Sequence, residues 1–228
     1  MSWVFEIVCQ ADATLGDALR RWVEAESARA WRALPGLSAL DVYRPAEGGA
    51  HDPFNDDSGV PALIVMIEFS TRPALLAAHS AVDLSLATLP AGVAATLTAM
   101  ERRFYPVDQE QTPAPLRAPF SYVVRYHRPA EDEAAFIANY VATHPETLAR
   151  LPHIRSVICY FPISGLAPGR IRPADYMIGN EVVFDTITDF NLAMRSPVRH
   201  ELRQHFHMFP KFTGLNTHFA MTRTRIFG

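Results

Sequence analysis

The sequence predicts an α+β chain in which two βαββαβ modules pack sheet to sheet as a barrel within one polypeptide. Three observations carry that prediction. The first is an internal repeat: Leu34-Pro35-Gly36-Leu37 through Tyr43-Arg44-Pro45 aligns without a gap on Leu151-Pro152-His153-Ile154 through Tyr160-Phe161-Pro162, an offset of 117. The same offset relates Phe5-Glu6-Ile7-Val8 to Tyr122-Val123-Val124-Arg125, and an offset of 115 relates Ile67–Thr71 to Val182–Thr186. The second is the order of elements, which reads strand, helix, strand, loop, strand, helix, strand in each copy. The third is that such a module covers only one sheet face with helices, so an apolar second face needs a partner, which a tandem copy supplies.

The elements are plainest in the second copy. Ser121–His127 is rich in aromatic and β-branched residues and predicts the first strand. Pro129-Ala130-Glu131-Asp132-Glu133 then places acids in the first turn of a helix that runs to about Arg150. Phe136, Ile137, Tyr140, Val141, His144, Leu148 and Leu151 recur along one face of it at helical spacing. Pro145 lies inside that helix and predicts a kink or a broken turn near His144. Arg155–Phe161 and Met177–Phe184 follow as strands, Asp189–Arg203 as the second helix and His218–Phe227 as the last strand. This order is that of the ferredoxin-like module. The predicted domains are 1–107 and 120–228, joined by a Pro- and Gln-containing linker at 108–119.

With 228 residues, 49% hydrophobic and 20% charged, the chain can bury one large core or two small ones, which excludes disordered and fibrous classes. The longest uncharged apolar stretches, such as Pro61–Ile67 and Ala91–Met100, fall short of the ~20 residues of a membrane span. No signal peptide is evident, so no membrane partner and a cytoplasmic address are expected. Two cysteines, Cys9 and Cys159, are too few for a disulfide framework and read as buried thiols. A net charge of −3 speaks against a nucleic-acid partner. The halves differ: residues 1–112 carry 8 Arg and 15 acids (−7), and residues 113–228 carry 13 Arg plus Lys and 9 acids (+4). Seven of the nine histidines also fall in the second half, which favours it as the site of an anionic or proton-transferring ligand.

The second module resembles the EthD family of the dimeric α/β barrel superfamily. The resemblance rests on Tyr126-His127-Arg128-Pro129, the spacing Phe136…Tyr140…His144…Leu151-Pro152, Glu181-Val182-Val183-Phe184-Asp185, and Ala193-Met194-Arg195-Ser196-Pro197 followed by Phe209-Pro210-Lys211-Phe212-Thr213. It covers most of Ser121–Phe227 and, more faintly, Trp3–Val107. Relatives include lactone isomerases, polyketide cyclases and dehydratases, quinone-forming monooxygenases and haem-handling enzymes. In isomerase-like members a histidine eight residues before the Leu/Met-Pro proline lines the ligand cavity, and His144 holds that position relative to Pro152. The cysteine that such members carry one residue beyond Glu181 is Val182, so thiol chemistry of that kind is not expected. The acid that EthD members often place two before the Phe-Pro proline is Met208.

The residues themselves support a site there. Tyr140 and His144 are four apart and project from one helix face into the same space. A histidine on an apolar face is ordinarily a satisfied core residue; buried without a charged neighbour it also stays neutral near pH 7 and can serve as general base and then general acid. Tyr122 and Tyr126, which share a strand face with Val124, and Tyr140 can donate to an enolate or carbonyl oxygen. His144 and Tyr140 are therefore the catalytic candidates, with Tyr122, Tyr126 and Glu181 as substrate-binding candidates. The first copy places Ser27, Val23, Phe5 and Cys9 at the positions of His144, Tyr140, Tyr122 and Tyr126, the pattern of a module that keeps the packing and loses the site.

Other clusters are weaker. His200, His205 and His207 lack a carboxylate in metal-binding register. His51-Asp52-Pro53-Phe54-Asn55-Asp56-Asp57 misses calcium-loop spacing and reads as a solvated loop. Arg170 and Arg172, in the long Ser164–Asp175 loop, read as surface residues that can reach a carboxylate at a cavity mouth. The expected activity is a cofactor-independent isomerisation, cyclisation or dehydration of a small, largely apolar carbonyl, lactone or aromatic substrate in catabolic or secondary metabolism. The alternatives are a haem-binding or monooxygenase-type barrel, with His144 or a second-helix histidine as axial ligand, and a non-catalytic binding protein. A homodimer through exposed helices or strand edges is also compatible.

Overall fold

The computed structural model describes residues 1–54, 59–107 and 119–228, so residues 108–118 of the expected linker and Asn55, Asp56 and Asp57 lie outside it. Strands β1 (Ser2–Gln10), β2 (Leu37–Pro45), β3 (Leu63–Phe69) and β4 (Ala94–Tyr105) come from the first copy. Strands β5 (Phe120–His127), β6 (Ser156–Pro162), β7 (Tyr176–Phe184) and β8 (Asn216–Phe227) come from the second. All eight close one antiparallel barrel in the order β1-β3-β2-β8-β5-β7-β6-β4. Each copy keeps the same internal order, β4-β1-β3-β2 and β8-β5-β7-β6. The sheets face one another across a lumen, and they are also hydrogen-bonded edge to edge along two seams, β2 with β8 and β4 with β6. Every strand thus has a neighbour on both sides, which leaves helix faces, and not strand edges, for any further assembly.

Outside the barrel run α1 (Gly16–Arg21), a π-helical stretch (Trp22–Ser27), α2 (Ala28–Arg32), α3 (Arg72–Ser85), α4 (Glu133–Ala149), α5 (Ile187–Met194) and α6 (Pro197–His207). Matching threonines start matching helices: Thr71 caps α3 by accepting from Ala74 N–H, and Thr186 caps α5 by accepting from Asp189 N–H. The single helix expected over Asp189–Arg203 is two, because Pro197 forces Ser196 into the extended region (φ −74°, ψ 156°) and then opens α6 from its first turn. Pro145, in contrast, does not end α4, which stays helical to Ala149. Among the described residues no helix is long and apolar enough to cross a membrane.

The repeat is visible down to the backbone. Gly36 and His153, aligned at offset 117, both hold a left-handed conformation (φ 77° and 62°). Gly36 has no freedom to be anything else, since a Cβ there would sit 2.7 Å from Ala74 Cβ.

The barrel strands bury both faces, so they read as nearly continuous apolar runs. One cluster, including Val4, Tyr43, Met66, Val123, Ile158 and Met221, fills the lumen. Two others lie between the sheet and the helices of each module. A buried ion pair inside the lumen joins the two modules. Arg125 donates to Glu6 through Nε (3.0 Å) and Nη2, and both side chains are about 1% exposed. Gly179 makes room for that guanidinium, because a Cβ there would meet Arg125 Cδ at 2.7 Å.

Each module also reaches over its partner. The loop after β6 crosses to the first module, where Asp83 of α3 accepts from the backbone N–H groups of Arg170 (2.8 Å) and Ile171 (3.2 Å). Arg170 therefore meets a carboxylate through its backbone and not through its guanidinium. The loop after β2 crosses the other way, His51 N–H donating to Asn191 Oδ1 on α5 (2.9 Å). That crossing brings Asp52 to the second module.

Candidate active site

The second module encloses a cavity of about 60 Å³ between the outer face of its sheet and α4 and α6. His144 reaches it from α4, Tyr122, Val124 and Tyr126 from β5, Asn180 from β7, His218 from β8, and Arg199 and Arg203 from α6. Alternation along β5 puts Tyr122, Val124 and Tyr126 on the side facing the helices. The spacing of four on α4 stacks Tyr140 against His144, ring centroids 4.6 Å apart.

His144 is 7% exposed, and its Nδ1 is buried without a hydrogen-bond partner among the described residues. Burial above all, with His205 and Arg199 nearby, holds its pKa down to about 3, so the ring is neutral near pH 7. Tyr140 is fully buried; its hydroxyl accepts from Asn180 Nδ2 (2.5 Å), and burial pushes its pKa well up. Tyr126 packs among Tyr140, Phe136, Phe206 and Phe212, and burial raises its pKa too. Tyr122 lies against Phe190 (4.6 Å) and His218 (5.7 Å) and donates to Asp52 Oδ2 at 3.4 Å.

Glu181 does not belong to this group. The side chain lies on the other face of β7, inside the lumen, where it accepts from Tyr43 OH (3.2 Å) and Tyr160 OH (2.5 Å). A strand exposes alternate residues to opposite faces, so its neighbour Asn180 is the residue that reaches the cavity. The placement of Glu181 beside Tyr122 and Tyr126 is corrected accordingly.

Several polar cavity residues carried no site assignment from the sequence. Asp52, read above as part of a solvated loop, is 4% exposed and forms an ion pair with Arg199, Nη2 to Oδ2 at 2.8 Å and Nε to Oδ1 at 3.1 Å. It is the cavity's one contribution from the first module among the described lining residues. His218 is 8% exposed; burial first, and then Arg199 and Arg203, lower its pKa to about 4 against the pull of Asp52. Asn180 orients Tyr140. A buried loop acid gives no periodic signal, whereas His218 lies on the Tyr122 side of an alternating strand and was open to detection.

In the first module the positions that match the candidate site are packed, although a pocket of about 350 Å³ opens nearby between Phe5, His79 and the loop after β6. Phe5, Cys9, Val23 and Ser27 are all buried, beside Trp22 and Trp31, whose rings meet edge to face at 5.5 Å. His200 packs edge-on against Phe54 (5.3 Å), and His205 lies beside Thr147 (3.4 Å). Among the described residues no group of three His, Cys, Asp or Glu side chains stands close enough to hold a metal ion. Haem does not fit the site as it stands: pockets for ligands of drug size span ~300–1,000 Å³, and here tyrosine and phenylalanine rings leave about 60 Å³ beside His144.

No protein-family model matches the chain, and no curated protein matches it. Solved structures do. An anthrone oxidase-like protein is 11% identical over 98% of this chain and 92% of its own, with a TM-score of 0.62. A monooxygenase candidate from Lactobacillus acidophilus is 10% identical over 99% and 96%, with a TM-score of 0.55. A variant of the chlorite dismutase of Candidatus Nitrospira defluvii is 14% identical over 97% and 90%, with a TM-score of 0.52. At these identities the likeness is one of fold alone, and the fold is a dimeric α/β barrel with both halves in one chain.

Proposed function

We propose that the chain is an EthD-like, cytoplasmic enzyme of small-molecule metabolism that moves a proton on a small, largely apolar carbonyl, lactone or aromatic substrate without an organic cofactor. The observation that carries this reading is the unpartnered Nδ1 of His144, buried beside a cavity and kept neutral by its surroundings. An imidazole whose protonation is so disfavoured is a weak base in the empty pocket. It becomes effective when the conjugate base it generates stays beside it, because the enolate then stabilises the imidazolium as an ion pair. On this reading Tyr126 donates to the developing oxyanion, Tyr122 stays bound to Asp52, and Tyr140 is oriented through Asn180. The same imidazolium then returns the proton at a second carbon, or to a departing hydroxyl.

The test is exchange of substrate C–H for deuterium from D₂O, followed by NMR over a set of enolisable ketones, lactones and hydroxyaromatic ketones. The folded wild-type protein is expected to catalyse exchange and folded His144→Ala to lack it; undiminished exchange in that variant removes the mechanism.

A second reading starts from the same proton and is favoured by the likeness to the anthrone oxidase-like protein. Here the carbanion reacts with dioxygen, a CH₂ group becoming C=O while the second oxygen atom leaves as water. Oxygen consumption in step with substrate loss distinguishes it from isomerisation. A Soret band on titration with haem would replace both readings by the haem-binding one.

A further inference from the structure

The charge of the cavity is unbalanced. Arg199 and Arg203 lie one turn apart on α6 and both line it, while Asp52 is the one carboxylate among the described lining residues. Asp52 is committed to Arg199 at 2.8 Å. The Arg203 guanidinium lies 5.8 Å from the ring centre of Phe54 and 5.6 Å from that of Phe206, and no carboxylate among the described residues is within ion-pairing distance of it. His144, His218 and Tyr126, which also line it, are held in their neutral forms by burial, and Glu181 is on the far face of the sheet. Among the described residues the lining therefore holds two cations and one anion, next to a surface that is largely aromatic and aliphatic. A guanidinium that lies near aromatic rings still has N–H donors for a planar acceptor, and a carboxylate matches its fork in a bidentate way.

We propose that this pocket takes a monoanion: a small aromatic acid whose carboxylate pairs with Arg203 while its ring lies beside His144 and Tyr126. This rests on the reading of the same cavity as the substrate site and names the substrate class. Arg199, already neutralised by Asp52, then serves as wall and positions the loop, and Arg203 selects the acid over its neutral counterparts.

The experiment compares benzoate with its neutral isostere benzamide, single rings chosen for the small cavity, by ligand-observed NMR titration of the full chain near pH 7. Wild type is expected to bind the acid at least about tenfold more tightly, with the preference fading as salt is raised. Arg203→Gln is expected to abolish the preference and Arg203→Lys to retain part of it, with circular dichroism confirming both folds. Equal affinity for the two probes, no binding of benzoate at millimolar concentration, or a preference that survives in Arg203→Gln overturns the proposal. In the wild-type protein, a retained preference for the acid with no proton exchange sinks the acid–base reading alone, whereas proton exchange without the preference sinks this ligand class alone.

Discussion

Tyr43 and Tyr160, which occupy matching positions in the two copies, donate from opposite staves of the barrel to the two oxygens of one carboxylate, Glu181, at 3.2 and 2.5 Å. The arrangement ties the modules together and separates two kinds of buried polar chemistry by one residue of β7. Glu181 faces the lumen, where it holds the halves in register, and Asn180 faces the cavity.

That separation is testable. Glu181→Gln turns one acceptor oxygen into an amide donor, so one tyrosine hydroxyl loses its partner at a cost of about 1–3 kcal/mol. Denaturant unfolding should register the loss as a lower midpoint with an unchanged slope. Ligand affinity at the His144 cavity should stay at its wild-type value; a selective loss of affinity with intact stability contradicts the assignment.

Asp52→Ala leaves Arg199 desolvated and without its bidentate partner, and breaking such a buried pair costs about 3–5 kcal/mol. Arg199→Met together with Asp52→Leu removes both charges and is expected to recover much of that loss, a non-additivity that marks direct coupling. Chemical denaturation of Asp52→Leu, Arg199→Met and the double variant measures it, and simple additivity would argue that the pair contributes little.

The buried imidazoles make stability depend on pH. His144 falls from 6.5 to about 3 on folding and His218 from 6.5 to about 4, chiefly because burial disfavours the charged ring. Above 6.5 both states carry neutral rings and the folded chain has its full stability. Below it the unfolded chain takes up protons that the folded chain refuses, so stability is lost as the pH falls through the windows 6.5 to 3 and 6.5 to 4. The slope is at most about 1.4 kcal/mol per pH unit for each ring. His144→Gln should flatten it by about one ring's share between pH ~6.5 and ~4; an unchanged slope means that the ring is not desolvated as described.

Much of this was legible in the sequence for a physical reason: periodicity records which face a residue presents. Offset 117 located the duplicated strands and the shared turn at Gly36 and His153, and helical spacing put Tyr140 and His144 in one space. Closure along two seams was less visible, because hydrogen bonds between edge strands are made by backbone and leave no side-chain signature. Glu181 was misplaced by one step because motif position does not report strand face, whereas alternation does. Asp52 was missed because its burial comes from a loop of one module lying across the other, and no local pattern encodes that crossing.

The seams and the lumen also fix what a single module can do. Expressed alone, residues 119–228 would expose the lumen side of four strands, including Val123, Ile158 and Met221, and would strip Arg125 of Glu6 and Glu181 of Tyr43. The edges of β6 and β8 would lose their partners along both seams. A stable monomer is therefore not expected. The fragment should pair with a second copy of itself, whose Tyr160 and edge strands stand where Tyr43 and the first module stand in the full chain, or aggregate. Light scattering on the purified fragment decides: a folded, cooperative monomer would mean that the cross-module pairs contribute little to the barrel.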